Sequence, residues 1–367
     1  MVRPVFRIRA RSAALALVVA LGGCGAKTGL LLPDATVDAD VEDAFQRFEA
    51  CVDGRFSLVR REAQLVFVID RSGSMADSLN RGGPSRWSAM YDVLSETLPA
   101  FEHAMRMGVL LFPRVPVSAA LASAQSCDQL PGTGVDVAPL RDNAGTVLTA
   151  IRQFGPSGAT PTASAVRRAA RFTAATGSRE LARYLVLATD GAPNCNLTLN
   201  PSTCTCAYGG TNCANAGLGA RYCLDDDATV VAIDEARRGG IATYVIGIDG
   251  DLNERYLRVL DRMALAGGRA LPTAPRYYSI QDRAQLAVAF ETIQRTVTRC
   301  AYVTPSRPDD PDRITVTRGG ATIPRDPTRR EGWDWTDRDY GELTLFGAAC
   351  DEAPTSATIE ATVACGR

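Results

Sequence analysis

Oxygen-bearing side chains follow apolar runs at two places in the sequence and open an amphipathic stretch at a third. The run LVFVI leads into Asp70, Ser72 and Ser74, which place one carboxylate and two hydroxyls at alternate positions. Thr160 opens an amphipathic stretch, and Asp190 directly follows the run LVLAT. An all-oxygen set of this kind suits a hard divalent cation, and its low number of carboxylates favours Mg²⁺, with Mn²⁺ or Ca²⁺ as alternatives.

Each of the three segments also has a purely structural interpretation. Asp and Ser are common in turns and helix caps, so the motif at residues 70–74 could be a turn. Thr160 could be a helix N-cap, and Asp190 with Gly191 could form a turn. One shared cation explains all three segments together, provided that the fold brings them to one edge of a sheet.

From about residue 62 to residue 300, apolar runs alternate with amphipathic stretches. Most of the runs are continuous, which is typical of parallel strands covered on both faces. Strands are predicted at 65–69, 107–112, 184–188, 241–248 and 277–280, with a short antiparallel edge strand from residue 135, and helices at 87–105, 160–176, 226–238, 253–266 and 281–298. This pattern predicts one α/β domain with a doubly wound, mostly parallel open sheet that binds ligands at the carboxyl ends of its strands.

Residues 301–367 have a different pattern. Segments such as DRITVTRGGATIPRD and ATIEATVAC alternate between apolar and polar residues with no helical period. They predict a small β-rich C-terminal domain, in which Trp333 and Trp335 are interpreted as core residues rather than as a recognition patch. A unit of this size is expected to rely on a disulfide, and Cys350 with Cys365 is the simplest pairing.

The first 23 residues have the layout of a signal peptide, with arginines before an apolar run at 13–21 that is too short to span a bilayer. The segment LGGC, which ends at Cys24, resembles the lipobox of bacterial lipoproteins. That resemblance implies lipidation of Cys24, a lipid-anchored linker at 24–61, and sorting to the outer membrane because Gly25 rather than Asp follows the cysteine. Secretion with cleavage nearby is the alternative.

Cysteine usage supports export. Of the 11 cysteines, those other than Cys24 are even in number, which allows complete disulfide pairing in an oxidising compartment. Several crowd residues 195–223, and Cys127 could supply the partner that this group lacks. Zinc is the competing interpretation, but no Cys-x-x-Cys pair occurs and the only histidine, His103, is remote in sequence. The disulfide candidates are Cys51, Cys127, Cys195, Cys204, Cys206, Cys213, Cys223, Cys300, Cys350 and Cys365.

Composition and motifs argue against two broad functions. With 40 basic and 41 acidic residues and no dense block of one sign, the chain lacks the charge pattern of a nucleic-acid-binding protein. Gly-x-Ser-x-Gly, His-Glu-x-x-His and phosphate-loop motifs do not occur, and the one histidine and one lysine, His103 and Lys27, lie outside the three segments. The chain is therefore predicted not to be an enzyme.

Taken together, FVIDRSGSM, GATPT and LATDG resemble the von Willebrand factor type A family over about residues 62–300. The resemblance implies a metal-ion-dependent adhesion site whose open coordination position accepts a carboxylate from a partner protein. Two departures, the cysteine-rich insertion at 192–223 and an irregular stretch at 113–135, would project near the metal, so the family's ligand preference does not carry over. The family's metal ligands correspond here to Asp70, Ser72, Ser74, Thr160 and Asp190.

These observations predict a bacterial cell-envelope lipoprotein, held at the membrane by its lipid anchor, that binds a protein or surface ligand through a divalent cation. Two alternatives stay open: a structural envelope protein whose metal only holds loops together, and a metal-dependent hydrolase. The predicted organisation is a signal peptide (1–23), the linker (24–61), a type A domain (62–300) and the β-rich C-terminal domain (301–367).

Overall fold

The computed structural model shows an α/β domain and a smaller antiparallel β unit. The described residues are 51–58, 60, 62–114, 127, 136–176, 181–207, 212–248, 254–304, 306, 308, 310–338, 341–351 and 358–366. The predicted signal peptide, Cys24 and the linker up to residue 50 lie outside these residues. Within the described ranges, no helix combines the length and the apolar composition needed to cross a membrane.

Strands and helices are numbered in chain order. The strands are β1 (Gly54–Ser57), β2 (Ala63–Asp70), β3 (Met105–Phe112), β4 (Asp136–Leu140), β5 (Ala182–Thr189), β6 (Ile241–Ile248), β7 (Tyr278–Ile280), β8 (Ala301–Val303), β9 (Ile314–Arg318), β10 (Ala321–Ile323), β11 (Gly332–Asp337), β12 (Glu342–Phe346) and β13 (Ile359–Val363). The helices are α1 (Arg86–Thr97), α2 (Ala144–Gln153), α3 (Thr162–Thr176), α4 (Asp226–Arg238), α5 (Glu254–Ala266), α6 (Arg283–Arg295) and the single turn α7 (Ala348–Asp351).

The central sheet has the strand order β4-β3-β2-β5-β6-β7 and is parallel except for β4, which runs antiparallel to β3. The predicted doubly wound, mostly parallel sheet is confirmed. Its strands β3 and β5 lie on opposite sides of β2, so the winding direction reverses there. Ligands of such sheets bind outside the carboxyl ends of the strands at this reversal, which are here the ends of β2 and β5.

The continuous apolar run of β2 is explained by two cores, one on each face of the sheet. Leu65, Phe67 and Ile69 pack on the side of α1, α2 and α6, whereas Val66 and Val68 pack on the side of α3, α4 and α5. Side chains alternate between the faces of a strand, so a strand that is covered on both sides needs apolar residues at every position.

One predicted helix ends earlier than expected, and one observed helix was not predicted. The helix predicted at 87–105 ends at Thr97, because the next residues form a 3-10 turn that contains Pro99, and β3 begins at Met105. Pro lacks the N–H that would continue an α-helix. Helix α2 was not predicted; its sequence, AGTVLTAIRQ, contains a glycine and several β-branched residues, which have low helix propensity.

The C-terminal β unit consists of two antiparallel sheets, β1-β13-β9-β10 and β11-β12-β8. Trp333 and Trp335 are buried in its core with their rings edge to face, as predicted. Strand β1 pairs with β13, with Phe56 opposite Ala361. Residues 54–57, which were assigned to the linker, are therefore part of this sheet, and the α/β domain is inserted in the chain between β1 and the rest of the unit.

All ten disulfide candidates form disulfides. The predicted pairing of Cys350 with Cys365 is wrong, because the pairing of β1 with β13 brings Cys51 beside Cys365, whereas α7 places Cys350 against Cys300. The predicted partnership of Cys127 with the cysteine-rich segment is observed. The pairs are Cys51–Cys365, Cys127–Cys195, Cys204–Cys223, Cys206–Cys213 and Cys300–Cys350.

A buried ion pair joins the β unit to the amino ends of the central strands. Arg269, which is 5% exposed, pairs with Glu342 of β12 and donates to the carbonyl oxygen of Thr336 at 2.9 Å. Its guanidinium lies over the rings of Tyr184 and Tyr244, 5.3 and 5.8 Å from their centroids. The Tyr184 hydroxyl donates to Glu342 at 3.2 Å. This cluster, Arg269, Glu342, Tyr184 and Tyr244, is called the lower cluster below.

Candidate metal centre

Two neighbouring strands bring the aspartates of the predicted site together. Strands β2 and β5 pair in parallel with Ile69 opposite Ala188, so Asp70 at the end of β2 and Asp190 just past β5 leave the sheet side by side. Both are buried, with exposed fractions of 0% and 1%. Carboxylates do not become buried in this way without partners.

The loop after β2 and the end of β5 each hold one oxygen of the Asp70 carboxylate. Oδ1 accepts a hydrogen bond from the backbone N–H of Ser72 at 2.8 Å, and Oδ2 accepts one from the Thr189 hydroxyl at 2.6 Å. A 3-10 turn, Gly73–Ala76, then directs the second serine back toward β5. The Ser72 and Ser74 hydroxyl oxygens lie 3.1 Å apart, and the Ser74 hydroxyl donates to Asp190 Oδ1 at 2.9 Å. Thus the three predicted residues of the first segment and Asp190 form one connected group.

Thr160 reaches the same place from the loop before α3. A side chain on Gly191 would place its Cβ 3.8 Å from Ser74 Oγ and 3.9 Å from Thr160 Oγ1, so both hydroxyls border one small space. The loop is fixed there because the Thr160 N–H donates to Asn194 Oδ1 at 2.9 Å and Gly73 donates to the carbonyl oxygen of Gly158 at 3.0 Å. All five sequence-predicted residues are therefore gathered at one edge of the sheet.

The electrostatics of the two carboxylates are unfavourable in the absence of a cation. Burial, and secondly the charge of Asp190, raise the pKa of Asp70 to about 7, although hydrogen bonds from Thr189 and Ser72 oppose the shift. Burial also raises the pKa of Asp190, against the lowering effect of Arg86. Two buried, mutually repelling carboxylates are the arrangement that a divalent cation stabilises.

The residues present fit a hard divalent cation. The candidate ligands are two carboxylates and three hydroxyls, all oxygen, and Gly191 leaves space beside two of the hydroxyls. Such a set suits Mg²⁺ or Mn²⁺, which keep waters in their coordination shell, better than Ca²⁺, which takes more protein oxygens. A thiolate zinc site does not fit: Cys204, Cys213 and Cys223 have their sulfurs within 4.8 Å of one another, but all three are in disulfides.

Three residues of the site were missed by the sequence analysis. Arg86 donates through Nη1 to Asp190 Oδ2 at 2.8 Å and to the carbonyl oxygen of Ser74 at 3.2 Å. Thr189 and Asn194 hold Asp70 and the Thr160 loop. Thr189 lies inside the LATDG segment, and its position next to Asp190 is the one signal that could have indicated it. The spacing of Arg86 and Asn194 does not relate either residue to the motif.

The cysteine-rich segment begins beside the site, as predicted. Asn194 contacts Thr160 by both its side chain and its backbone N–H. Cys195 is bonded to Cys127, the one described residue between 115 and 135, so the two departures from the family pattern are linked to each other. Leu197 exposes half of its surface. An apolar side chain is thus presented to solvent a few residues from the candidate ligands.

Residues 64–221 match the family model of the von Willebrand factor type A domain, and the match includes all three segments that form the site. The chain contains a von Willebrand factor type A domain. Strands β6 and β7 and helices α4 to α6 lie beyond the matched residues and complete the type A sheet and its helical layers. No curated protein matches the chain.

Several solved structures are similar to the chain at low sequence identity. The pilus adhesin SpaC from Lactobacillus rhamnosus GG in its open conformation is 14% identical with a TM-score of 0.46, over 84% of this chain and 40% of the adhesin. The vWF domain of the type V pili tip protein Mfa5 from Porphyromonas gingivalis is 16% identical with a TM-score of 0.40, over 65% of this chain and 95% of that one. Manganese-loaded TRAP protein from Plasmodium vivax is 14% identical with a TM-score of 0.37, over 65% and 76%. The chain thus matches about two fifths of the adhesin's length.

Proposed function

We propose that the type A domain binds a divalent cation through Asp70, Ser72, Ser74, Thr160 and Asp190, and through that cation a carboxylate of a protein or surface ligand. The observation that carries the proposal is the connected group of ligands: Ser74 lies 3.1 Å from Ser72 and 2.9 Å from Asp190. These residues come from distant parts of the chain, and both aspartates are buried. If each segment only formed a turn or capped a helix, these side chains would not need to lie together.

The chemistry of the ligand set favours binding of an anion. Asp70 and Asp190 contribute two negative charges and the hydroxyls contribute none, so a bound Mg²⁺ or Mn²⁺ would remain electrophilic. Thr189 and the Ser72 N–H hold Asp70 in place, and Ser74 and Arg86 hold the two oxygens of Asp190. This pre-formed arrangement lowers the cost of ordering side chains when ligand and cation bind.

Binding without catalysis is part of the proposal. A nucleophilic hydroxyl needs a free base within hydrogen-bond reach. The Ser72 hydroxyl contacts the Ser74 hydroxyl, and the Ser74 hydroxyl donates to Asp190, whose other oxygen accepts from Arg86 and which is itself a proposed metal ligand. The single histidine, His103, pairs with the exposed Asp142 near the amino end of β3. We therefore place the protein among adhesive or ligand-binding proteins.

Export and anchoring are proposed from the sequence and the disulfides. Five disulfides in the described chain fit an oxidising compartment. The signal-peptide layout and the LGGC segment favour lipidation at Cys24 and a place on the bacterial outer membrane. Incorporation of labelled palmitate into the wild type but not into Cys24→Ser tests this part; equal labelling would contradict it.

Calorimetric titration of the purified protein with Mn²⁺ tests the metal site. We expect one bound ion in the wild type and none in Asp70→Ala. Asp225→Asn is the matched control, because Asp225 is also a buried aspartate at the site's edge of the domain but contacts Asn196 rather than the ligands; it should bind Mn²⁺ normally. Equal binding by the wild type and Asp70→Ala would contradict the proposal.

A purely structural metal is the second candidate, because a cation would stabilise the two buried, coupled carboxylates whether or not a ligand ever bound. Affinity capture from an envelope extract, with and without EDTA and with Asp190→Ala as control, distinguishes the two functions. Recovery of a partner that depends on both the cation and Asp190 supports ligand binding. A lower melting temperature in EDTA with no cation-dependent partner supports the structural role.

A further inference from the structure

A buried arginine contacts the candidate metal ligands directly. The Arg86 side chain is 12% exposed, and its Nη1 bridges Asp190 Oδ2 and the carbonyl oxygen of Ser74. Its Nε is buried and donates no hydrogen bond within the described structure. Because one donor of this buried guanidinium is unused, hydrogen bonding alone does not account for its position. Its positive charge next to the candidate ligands is therefore the relevant property.

The fold fixes this arginine independently of Asp190. Its backbone N–H donates to the carbonyl oxygen of Asp77 at 2.9 Å, which closes the loop between the serines and α1. Ser85 caps α1 by accepting from the Ser88 N–H at 3.1 Å. Arg86 is therefore the first residue of a capped helix, and its guanidinium does not depend on a mobile loop.

The two oxygens of the Asp190 carboxylate accept hydrogen bonds from different side chains. One oxygen of Asp190 accepts from Ser74, which belongs to the candidate ligand set, and the other accepts from Arg86. An arginine on the outer oxygen of a metal-ligating carboxylate orients that carboxylate. It also places a positive charge beside the position where a cation would bind, and like charges at short range oppose each other.

We propose that Arg86 is a positioning residue that sets the charge of the cation site, lowering its affinity for the cation and leaving the bound cation short of negative charge. This inference rests on the proposed function. Its consequence is that cation and anionic ligand bind cooperatively, because the ligand supplies the negative charge that Arg86 offsets.

Other charged groups near the site do not take this role. Asp77 lies 3.9 Å from Arg86 but is 71% exposed, so solvent screens it. Arg71 is buried next to Asp70, yet its guanidinium donates to the carbonyl oxygens of Pro113 and Gly155 and lies over the Phe154 ring. Arg86 instead pairs directly with the side chain of a candidate ligand, Asp190.

Calorimetric titration with Mn²⁺ alone tests the inference by separating charge from geometry. Arg86→Gln removes the charge and keeps a polar side chain, whereas Arg86→Lys keeps the charge. We expect Arg86→Gln to bind Mn²⁺ about tenfold more tightly than the wild type, and Arg86→Lys to stay within about threefold of it. Arg106→Gln is the matched control, because Arg106 pairs with Glu62 at the amino end of β3; its Mn²⁺ affinity should equal that of the wild type.

The outcomes separate this inference from the proposed function. Wild-type binding with an unchanged or weaker affinity in Arg86→Gln would overturn the charge role alone. A wild type that binds no Mn²⁺ would overturn both. If Arg86→Gln does not fold, Arg86→Met, which keeps an unbranched, flexible side chain without the charge, carries the same expectation of tighter binding.

Discussion

The two ends of the central sheet bury charged groups in contrasting ways. At the amino ends, the lower cluster pairs one arginine with one glutamate; both tyrosine rings lie against the arginine, and the Tyr184 hydroxyl donates to the glutamate. At the carboxyl ends lie two buried aspartates, of which Asp190 pairs directly with Arg86. The charges of the lower cluster balance each other within the chain. The candidate metal site at the carboxyl ends is called the upper site below; its two aspartates have one directly paired arginine, so part of their negative charge is unmatched by direct contacts.

This difference separates a structural role from a binding role. A buried ion pair whose charges already balance does not favour binding of a further ion, which would disrupt the pair. The lower cluster is therefore suited to holding the β unit against the type A domain. Unmatched buried carboxylates instead favour uptake of a cation. The disulfides differ widely in the length of chain that they close: Cys51–Cys365 closes the β unit across 314 residues, whereas Cys206–Cys213 in the cysteine-rich segment spans 7.

The largest effect is expected from the long-range disulfide. Replacing Cys51 and Cys365 together with alanine should lower the free energy of unfolding by about 5 kcal/mol, because the loop that they close in the unfolded chain is very long. The matched control is Cys206→Ala with Cys213→Ala, for which the loss should be about 2 kcal/mol. Urea denaturation measures both. Equal losses would show that the two disulfides do not differ as described.

The next effect tests the balanced pair. Glu342→Gln keeps the shape of the side chain but leaves Arg269 buried without its counter-charge, so stability should fall by about 3 kcal/mol. Removal of an exposed pair through Glu96→Gln, which loses its contact with Arg283, should cost less than about 1 kcal/mol. Chemical denaturation of both variants provides the comparison; a Glu342→Gln protein as stable as the wild type would contradict the balanced description.

The upper site should respond in the opposite direction. In EDTA at pH 8, Asp70→Asn removes one of two mutually repelling carboxylates and should stabilise the protein by about 2 kcal/mol. The same variant should lose Mn²⁺-dependent stabilisation, which thermal melts with and without the ion will show. Destabilisation of the EDTA-treated protein would mean that this carboxylate is balanced internally, as at the other end of the sheet.

The pH dependence of stability tests the same carboxylate. Burial and the charge of Asp190 raise the pKa of Asp70 from its ordinary value of 3.8 to about 7. Stability in EDTA should therefore fall as pH rises from about 4 through 7, since the unfolded chain releases this proton earlier. Asp70→Asn should remove this part of the pH dependence, which is measured from the melting temperatures of the wild type and the variant across this pH range. An equal pH dependence of the two proteins would contradict the raised pKa of Asp70.

How much of this was accessible from sequence depends on the range of the interaction. The sheet and the five candidate ligands were predicted because continuous apolar runs and an Asp-x-Ser-x-Ser spacing are local signals. The Cys350–Cys365 pairing was wrong because the true partner, Cys51, is brought in by β1, whose four residues GRFS carry almost no strand signal. Arg86 was missed for a similar reason: its contact with Asp190 joins residues 104 positions apart.

Anomalous diffraction from crystals soaked in MnCl₂ would locate the bound cation. We expect one strong manganese peak at the carboxyl end of β2, with the Asp70 carboxylate or the Ser72, Ser74 and Thr160 hydroxyls among its neighbours at about 2.0–2.6 Å or through bound water. Soaked crystals with no peak there, or with manganese only at surface carboxylates elsewhere, would contradict it.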